Sequence, residues 1–155
     1  MKNNVTRLLD QRKINYTAFE LPAEKLGAQG TAERLGVPPE IVFKTIVCKR
    51  VGRGKPILAV VPGNRDVDLK KLAKAVGEKK VLLTTQREAE TLTKLQAGGI
   101  SPLALIQRGF QTVLDQSARN HPEIHVSGGQ RGLNIRLSAD DLIALVNARV
   151  AEISR

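Results

Sequence analysis

One lysine interrupts an apolar, β-branched run, and this placement favours a chemical role. Lys44 lies within Val42-Phe43-Lys44-Thr45-Ile46-Val47. These neighbours predict partial burial, and a buried ammonium is costly unless it meets an anion or a carbonyl oxygen. Lys44 is therefore a candidate ligand for a phosphate or a carbonyl group. The structural alternative is a strand-edge lysine whose aliphatic stem lies on the sheet while its ammonium reaches water.

Two glycine pairs supply the second candidate feature, in Gly98-Gly99-Ile100-Ser101-Pro102 and in Val126-Ser127-Gly128-Gly129. Because glycine has no Cβ, backbone N–H groups at these positions could approach a ligand closely. N–H groups placed in this way stabilise the oxyanion that forms when an ester is attacked. On residue type alone, the Gly98 segment is more typical of a plain structural turn.

Ser127 could place a hydroxyl beside free backbone donors, where an ester oxygen or a terminal ribose would bind. A nucleophilic role is disfavoured, because Ser127 lacks the G-x-S-x-G elbow and His125 shares its predicted strand. His121 and His125 have a helical metal-ligand interval, but Pro122 separates them and the segment is predicted as loop and strand. Cys48 is interpreted as a small buried residue. We expect neither a metal nor a cofactor.

The N-terminal half must position Lys44. Its apolar spacing predicts a helix behind Asn3 and Asn4, a strand through Ile14, Tyr16 and Ala18, and a loop from Pro22 to Gly30. Thr31 is predicted to cap a short helix that ends at Gly36. The later elements are a hairpin of strands 43–50 and 57–61 and a helix from the Asp68 cap to Gly77.

The C-terminal half must position the glycine pairs. We predict a strand over 80–84, a helix over 86–95, and strands over 111–115, 124–127 and 133–137. Ser138 is predicted to cap a last helix whose apolar face runs from Leu142 to Ile153. Helices and strands mix without strict βαβ alternation, which predicts an α/β domain of α+β type with a mixed, largely antiparallel sheet and surrounding helices.

Composition narrows the classes of partner. The 155 residues fit one domain spanning 1–155, and their net charge of +10 attracts phosphate polymers such as nucleic acids. The four aromatic residues are too few for a platform that stacks several bases. A single cysteine excludes an internal disulfide framework, and we see neither a secretion signal nor an apolar run long enough to span a membrane. We therefore expect a cytoplasmic protein.

The motifs above, in the same order, resemble the YbaK/EbsC family of free-standing aminoacyl-tRNA deacylases, which is related to the editing domain of prolyl-tRNA synthetase. Two further segments carry the resemblance, Asp68-Leu69-Lys70-Lys71-Leu72-Ala73-Lys74-Ala75-Val76-Gly77 and Arg131-Gly132-Leu133-Asn134-Ile135. The likeness runs from about Val5 to the C-terminus. It implies a compact, barrel-like sheet and hydrolysis of mischarged aminoacyl-tRNA, with the acceptor end of tRNA as the partner and prolyl-tRNA synthetase as a further candidate.

The resemblance also implies roles for particular residues. The residues implied for catalysis are Lys44, Ser127 and Gly99. Those implied for substrate binding are Phe19, Leu26, Thr45, Gly98, Ser101, Gly128, Gly129 and Asn134. The exposed face of the Asp68 helix offers Lys70, Lys71 and Lys74 to the tRNA backbone, although a solvated helix face explains the same pattern.

The leading expectation is release of cysteine from proline tRNA, or also from cysteine tRNA, by chemistry that the substrate assists. Ala104, Asn134 and Leu26 depart from residues common in the cysteinyl deacylases of the family. Alanine or another small amino acid therefore stays an alternative substrate. A noncatalytic module that binds tRNA is the alternative from another functional class.

Overall fold

Helices and strands mix along the chain, as predicted. The computed structural model describes residues 2–24 and 26–155. The α-helices over these residues are α1 (Asn4–Gln11), α2 (Gly27–Leu35), α3 (Leu69–Val76), α4 (Gln86–Thr93) and α5 (Ala139–Val146). The strands are β1 (Tyr16–Glu20), β2 (Phe43–Arg50), β3 (Ile57–Pro62), β4 (Val81–Leu83), β5 (Gln111–Asp115), β6 (Glu123–Ser127), β7 (Leu133–Ser138) and β8 (Arg149–Ala151).

The strands form two sheets. One is an antiparallel sheet in the order β1-β7-β6, and the other has the order β4-β2-β3-β5-β8. In the larger sheet β4, β2 and β3 are antiparallel, whereas β5 runs parallel to β3 and to β8. An isolated bridge between Val42 and His125 links the two sheets. The predicted α+β class with a mixed, largely antiparallel sheet is confirmed. Over the described residues, the sheet that the resemblance implies to be barrel-like is a pair of sheets linked by this bridge.

Several helix boundaries follow from local capping, as the sequence predicts. The Asp68 carboxylate accepts the backbone N–H of Lys71 at 3.0 Å and starts α3, which ends where Gly77 adopts a positive φ of 73°. The Ser138 hydroxyl accepts the backbone N–H of Asp141 at 3.0 Å and starts α5. These caps satisfy backbone groups that the helix itself leaves unpaired.

Two predicted boundaries are wrong. Helix α2 begins at Gly27, inside the segment predicted as a loop, and Thr31 is not its cap, because the Thr31 hydroxyl donates to the Gly27 carbonyl at 2.7 Å. Helix α5 ends at Val146, because Asn147 adopts the left-handed conformation with a φ of 52°. The apolar residues beyond it belong to β8 and to the closing segment, where Ile153 is fully buried.

The core is aliphatic, and its strand periodicity prepares the site. On β7, Leu133, Ile135 and Leu137 are buried in a core cluster with Val60 and Leu114. Because successive strand residues point to opposite faces, the residues between them on β7 project from the other face of the sheet. None of the helices formed by the described residues is long and apolar enough to cross a bilayer.

Candidate active site

A cleft of about 240 Å³ lies where β2, α2 and the two glycine segments meet. Strand β2 and the bridge residue before it contribute residues 42–45, and the segment around α2 contributes residues such as Leu26 and Thr31. The opposite wall includes Gly98, Ser127 and Asn134. The structure therefore brings the lysine strand and both predicted glycine segments to one cavity.

Lys44 lies in this cleft with its ammonium already partnered. Its Nζ lies 3.8 Å from Asp66 Oδ1 and 3.4 Å from the Gly63 carbonyl oxygen. The Lys44 side chain is 29% exposed and that of Asp66 is 78% exposed. Partial burial beside an anion and a carbonyl agrees with the arrangement that the sequence predicts for this ammonium. The catalytic role of Lys44 stays a prediction.

The two glycine segments pack directly against each other. The Ser127 hydroxyl donates to the Gly98 carbonyl at 3.3 Å, and Arg131 Nε donates to the Ala97 carbonyl at 2.6 Å. A Cβ built on Gly99 would lie 2.8 Å from the Cα of Gln130, which is closer than real Cβ contacts. Glycine at position 99 is thus required by the close approach of two backbones.

Four predicted site residues lie behind the cleft wall and are not part of its lining, namely Gly99, Ser101, Gly128 and Gly129. Gly99, Gly128 and Ser101 are buried, and the Ser101 hydroxyl accepts the backbone N–H of Leu103 at 3.2 Å. A Cβ on Gly128 would meet the Leu133 side chain at 2.5 Å, and one on Gly129 would lie 3.1 Å from Val5. The contacts of these residues support the shape of the wall. Their direct contact with a substrate stays a prediction.

A row of three side chains crosses the smaller sheet. Asn134 on β7 pairs with Phe19 on β1 and with Ser127 on β6, and paired residues project to the same face. Asn134 and Ser127 line the cleft. Phe19 belongs to the same row but is not part of the cleft lining. Its ring packs against His125, with centroids 5.6 Å apart, and beneath the Arg136 guanidinium at 5.4 Å.

The sequence places His125 correctly on the strand of Ser127, but its contact with the site residue Asn134 was not predicted. Its side chain is buried, its Nδ1 lies 2.8 Å from Asn134 Oδ1, and its Nε2 has no partner among the described residues. Burial lowers the pKa of His125, which keeps the imidazole neutral near pH 7. The two-residue interval between His125 and Ser127 was the available signal, because it places both on one face of a strand.

The remaining predicted residues divide between the cleft and a helix surface. Thr45 and Leu26 line the cleft. On α3, Lys70 and Lys74 are exposed, whereas Lys71 Nζ lies 2.9 Å from a Glu152 carboxylate oxygen. Among the described residues, no three His, Cys, Asp or Glu side chains cluster closely enough to hold a metal ion. Burial raises the pKa of the Cys48 thiol to about 11.

Comparison with known proteins shows which protein family has this fold and cleft. Residues 23–145 match the family model described as the aminoacyl-tRNA editing domain. The chain belongs to this aminoacyl-tRNA editing family, and the resemblance to the YbaK/EbsC deacylases is confirmed. It is 38% identical over 155 residues to the Enterococcus faecalis protein named "Putative Cys-tRNA(Pro)/Cys-tRNA(Cys) deacylase EbsC", with 99% of this chain and 93% of that protein covered.

Two solved structures show the same fold over nearly the whole chain. The crystal structure of "a putative trans-editing enzyme for prolyl tRNA synthetase" superposes with a TM-score of 0.79 at 25% identity, covering 100% of this chain and 99% of that one. The crystal structure of hypothetical protein APE2540 superposes with a TM-score of 0.90 at 22% identity, covering 99% and 100% of the two chains.

Proposed function

We propose that this chain, as a single domain, is a trans-editing deacylase that hydrolyses the ester joining cysteine to mischarged proline tRNA. The observation that carries the proposal is the single cleft shared by Lys44, Gly98, Ser127 and Asn134. The family match supports aminoacyl-tRNA as the substrate class. The names of the Enterococcus relative and of the trans-editing structure support cysteine and the prolyl system.

The size of the cleft suits a small aminoacyl group. Pockets for drug-sized ligands occupy roughly 300 to 1,000 Å³, and this cleft of about 240 Å³ lies below that range. A second, hydrolytic site is useful for such substrates, because a synthetase distinguishes side chains differing by one methylene by only about 1 to 3 kcal/mol. Apolar residues such as Leu21, Leu26 and Val42 line part of the cleft and would surround the amino-acid side chain.

Lys44 would bind the nucleotide end of the substrate through its ammonium group. Its ammonium is held by an exposed carboxylate and one carbonyl, and a tRNA phosphate or the ester carbonyl can replace these partners. Exposed ion pairs are weak, about 0.2 to 1 kcal/mol, so the exchange costs little. Lys44 thus contributes by binding and by electrostatic stabilisation.

Hydrolysis in this cleft would depend on the substrate for its nucleophile or base. Among the residues that the structure describes, the titratable side chains in the lining are Lys44 and Glu24, and Glu24 lies 3.6 Å from the guanidinium of Arg34. An aminoacyl ester is already activated, so positioning and oxyanion stabilisation are sufficient. We propose that the cysteine thiol or the terminal ribose hydroxyl assists. The N–H groups of Gly99, Gly128 and Gly129 are already donated to Gln96, Leu133 and Ser127 oxygens. The oxyanion donor in this proposal is therefore Gly98, which lines the cleft, and one such donor is worth about 2.7 to 4 kcal/mol.

The proposal places the protein with translation in the cytoplasm. Its partner is the acceptor end of aminoacylated tRNA, and action in trans implies access to tRNA after its release from a synthetase. Prolyl-tRNA synthetase is the candidate protein partner, on the strength of the solved structure named for it. The charge of +10 supports tRNA binding through the phosphate backbone.

Release of labelled amino acid from a panel of charged tRNAs tests the proposal. The panel contains cysteine, alanine and proline on proline tRNA. We expect fastest release of cysteine, at least a hundredfold loss for Lys44→Ala, and near wild-type rates for Lys55→Ala. Lys55 is a matched control, because it is an exposed lysine in the hairpin at the other end of β2. Equal rates for wild type and Lys44→Ala would remove Lys44 from the site.

The panel also separates the alternatives. Preferred release of alanine would keep the deacylase and change its specificity. Binding of tRNA without release of any amino acid would indicate the noncatalytic module. The variant Glu24→Gln tests the source of the base, because substrate-assisted hydrolysis predicts that its rate stays within about threefold of wild type.

A further inference from the structure

A buried polar pair lies directly behind the cleft wall. His125 Nδ1 and Asn134 Oδ1 are 2.8 Å apart, with His125 1% and Asn134 5% exposed. Asn134 reaches the cleft, whereas His125 is absent from its lining. An imidazole in contact with one wall residue and out of reach of a ligand can act on the reaction through that residue.

Proton placement in this pair follows from the environment of Nε2. His125 Nε2 is enclosed and has no partner among the described residues. If Nε2 carried the proton, an N–H donor would be buried without an acceptor, and such orphaned donors are rarer than orphaned acceptors. The proton therefore lies on Nδ1, where it is donated to Asn134 Oδ1, and the bare Nε2 is the less costly orphan.

This hydrogen bond determines which end of the Asn134 amide meets the cleft. Oδ1 is occupied by His125, so the amide group projects its Nδ2 in another direction. No hydrogen-bond partner of Nδ2 is found among the described residues. Nδ2 is nevertheless not one of the enclosed side-chain atoms that lack a partner, so it is accessible. Asn134 lines the cleft, and Nδ2 is the polar side-chain atom that the bond to His125 leaves available to a ligand there.

We propose that His125 is a positioning residue that fixes Asn134 with its amide N–H directed into the cleft, where it donates to an oxygen of the aminoacyl ester. This inference rests on the proposed deacylase function and deepens it. The ligand atom beside Asn134 must then be a hydrogen-bond acceptor, namely the ester carbonyl or a ribose oxygen. The α-ammonium of the amino acid, which only donates, lies elsewhere in the cleft.

The packing around His125 supports a fixed orientation. The Phe19 ring lies against the imidazole on the sheet face that also carries Asn134. The bridge to Val42 joins the His125 backbone to the entrance of β2, two residues before Lys44. The His125–Asn134 pair is therefore connected to both walls of the cleft. A change in its geometry would displace residues that line the site.

The first test is spectroscopic and needs no substrate. Nitrogen-15 NMR of the wild-type protein at pH 7 should show His125 protonated at Nδ1 and bare at Nε2. In Asn134→Asp, a carboxylate beside Nδ1 should raise the pKa of His125 above its wild-type value. An Nε2-protonated ring in the wild type, or an unchanged pKa in the variant, would overturn the proposal.

The second test is a double-mutant cycle on deacylation. His125→Phe keeps the ring contact with Phe19 and removes the donor, and it should lower kcat/KM about tenfold, the scale of one misplaced hydrogen bond. In an Asn134→Ala background the same substitution should cost less than twofold, because the residue through which it acts is absent. Equal losses in both backgrounds would show that His125 only supports the fold.

The two tests also separate this inference from the proposed function. Should the wild type release no amino acid from any charged tRNA, the deacylase proposal fails. The nitrogen-15 measurement then still decides whether His125 orients Asn134.

Discussion

Asp66 pairs with the ammonium of the cleft residue Lys44, with Nζ and Oδ1 3.8 Å apart. Asp66 is itself fixed by the C-terminal residue: its N–H donates to the Arg155 carbonyl at 3.2 Å, and the Arg155 N–H donates back at 2.9 Å. The last residue of the chain therefore supports the carboxylate that partners the candidate catalytic lysine. In the proposed function, a substrate phosphate would compete with this carboxylate for Lys44.

Asp66→Asn should strengthen tRNA binding. The substitution removes a negative charge that competes with phosphate for Lys44, and exposed ion pairs are worth about 0.2 to 1 kcal/mol. We expect KM for charged tRNA, and Kd for uncharged tRNA, to fall about two- to fivefold at low salt. Filter binding across a salt series measures this effect. Weaker binding by Asp66→Asn would show that Asp66 orients Lys44 for substrate.

The three lysines of α3 should contribute unequally to tRNA binding. Lys70 and Lys74 are exposed, and their ammonium groups have no ion-pair partner among the described residues, whereas Lys71 already bonds Glu152 at 2.9 Å and the Ser154 carbonyl at 3.3 Å. Removing a phosphate contact lowers the slope of log Kd against log salt by about one. We expect this loss for Lys70→Ala and Lys74→Ala, and about half of it or less for Lys71→Ala.

The control for these slopes is Asn134→Ala, which alters the cleft wall and leaves the basic helix surface intact. Its salt slope should equal that of the wild type. If all three lysine variants also keep the wild-type slope, α3 presents an ordinary solvated face and the tRNA backbone binds elsewhere.

Local chemistry made most of the fold predictable. Asp68, Gly77 and Ser138 satisfy their own helix ends, so their roles depend on neighbours in sequence alone. The predicted Thr31 cap is wrong because a hydroxyl can bond in either direction along a helix, and the last helix ends before its predicted apolar face does because asparagine at position 147 tolerates a positive φ. These choices are settled by packing, which the sequence pattern does not encode.

The candidate site was predictable in its parts and unpredictable in its pairings. The unusual surroundings of Lys44 and the two glycine pairs are visible in the sequence, and the structure places both beside one cleft. The Lys44–Asp66 and His125–Asn134 contacts depend on how strands and loops meet across the fold. Residues separated by 22 and 9 positions give no periodic signal that would pair them.

Cys48 should be inert in the folded protein. Its side chain is fully buried in the core of the larger sheet, and burial raises the thiol pKa to about 11, so almost no thiolate forms at pH 7.5. We expect no reaction with a disulfide reagent under native conditions and one equivalent after unfolding in guanidinium. The same reagent can then report cysteine released from tRNA without a protein background. Rapid labelling of native protein would show that β2 opens locally.

Stability should fall as the pH drops through the range where an unfolded histidine gains a proton. Burial lowers the pKa of native His125, and the nearby Arg136 guanidinium lowers it further, while the bond to Asn134 and the Glu123 carboxylate raise it. Well above the unfolded pKa of about 6.5 both states carry a neutral ring, so His125 adds no pH dependence there. Below it the unfolded state binds the proton first, and unfolding free energy decreases by at most about 1.4 kcal/mol per pH unit.

His125→Phe isolates this dependence, because the variant keeps a ring of similar shape and cannot bind the proton. Guanidinium unfolding of both proteins between pH 5 and pH 8 gives two curves of unfolding free energy. Their difference cancels the contributions of the groups that the two proteins share. We expect this difference to be constant above about pH 7 and to decline steadily for the wild type toward pH 5. A difference that rises toward acid would mean that the native protein binds the proton more tightly, which contradicts a neutral, buried imidazole beside Asn134.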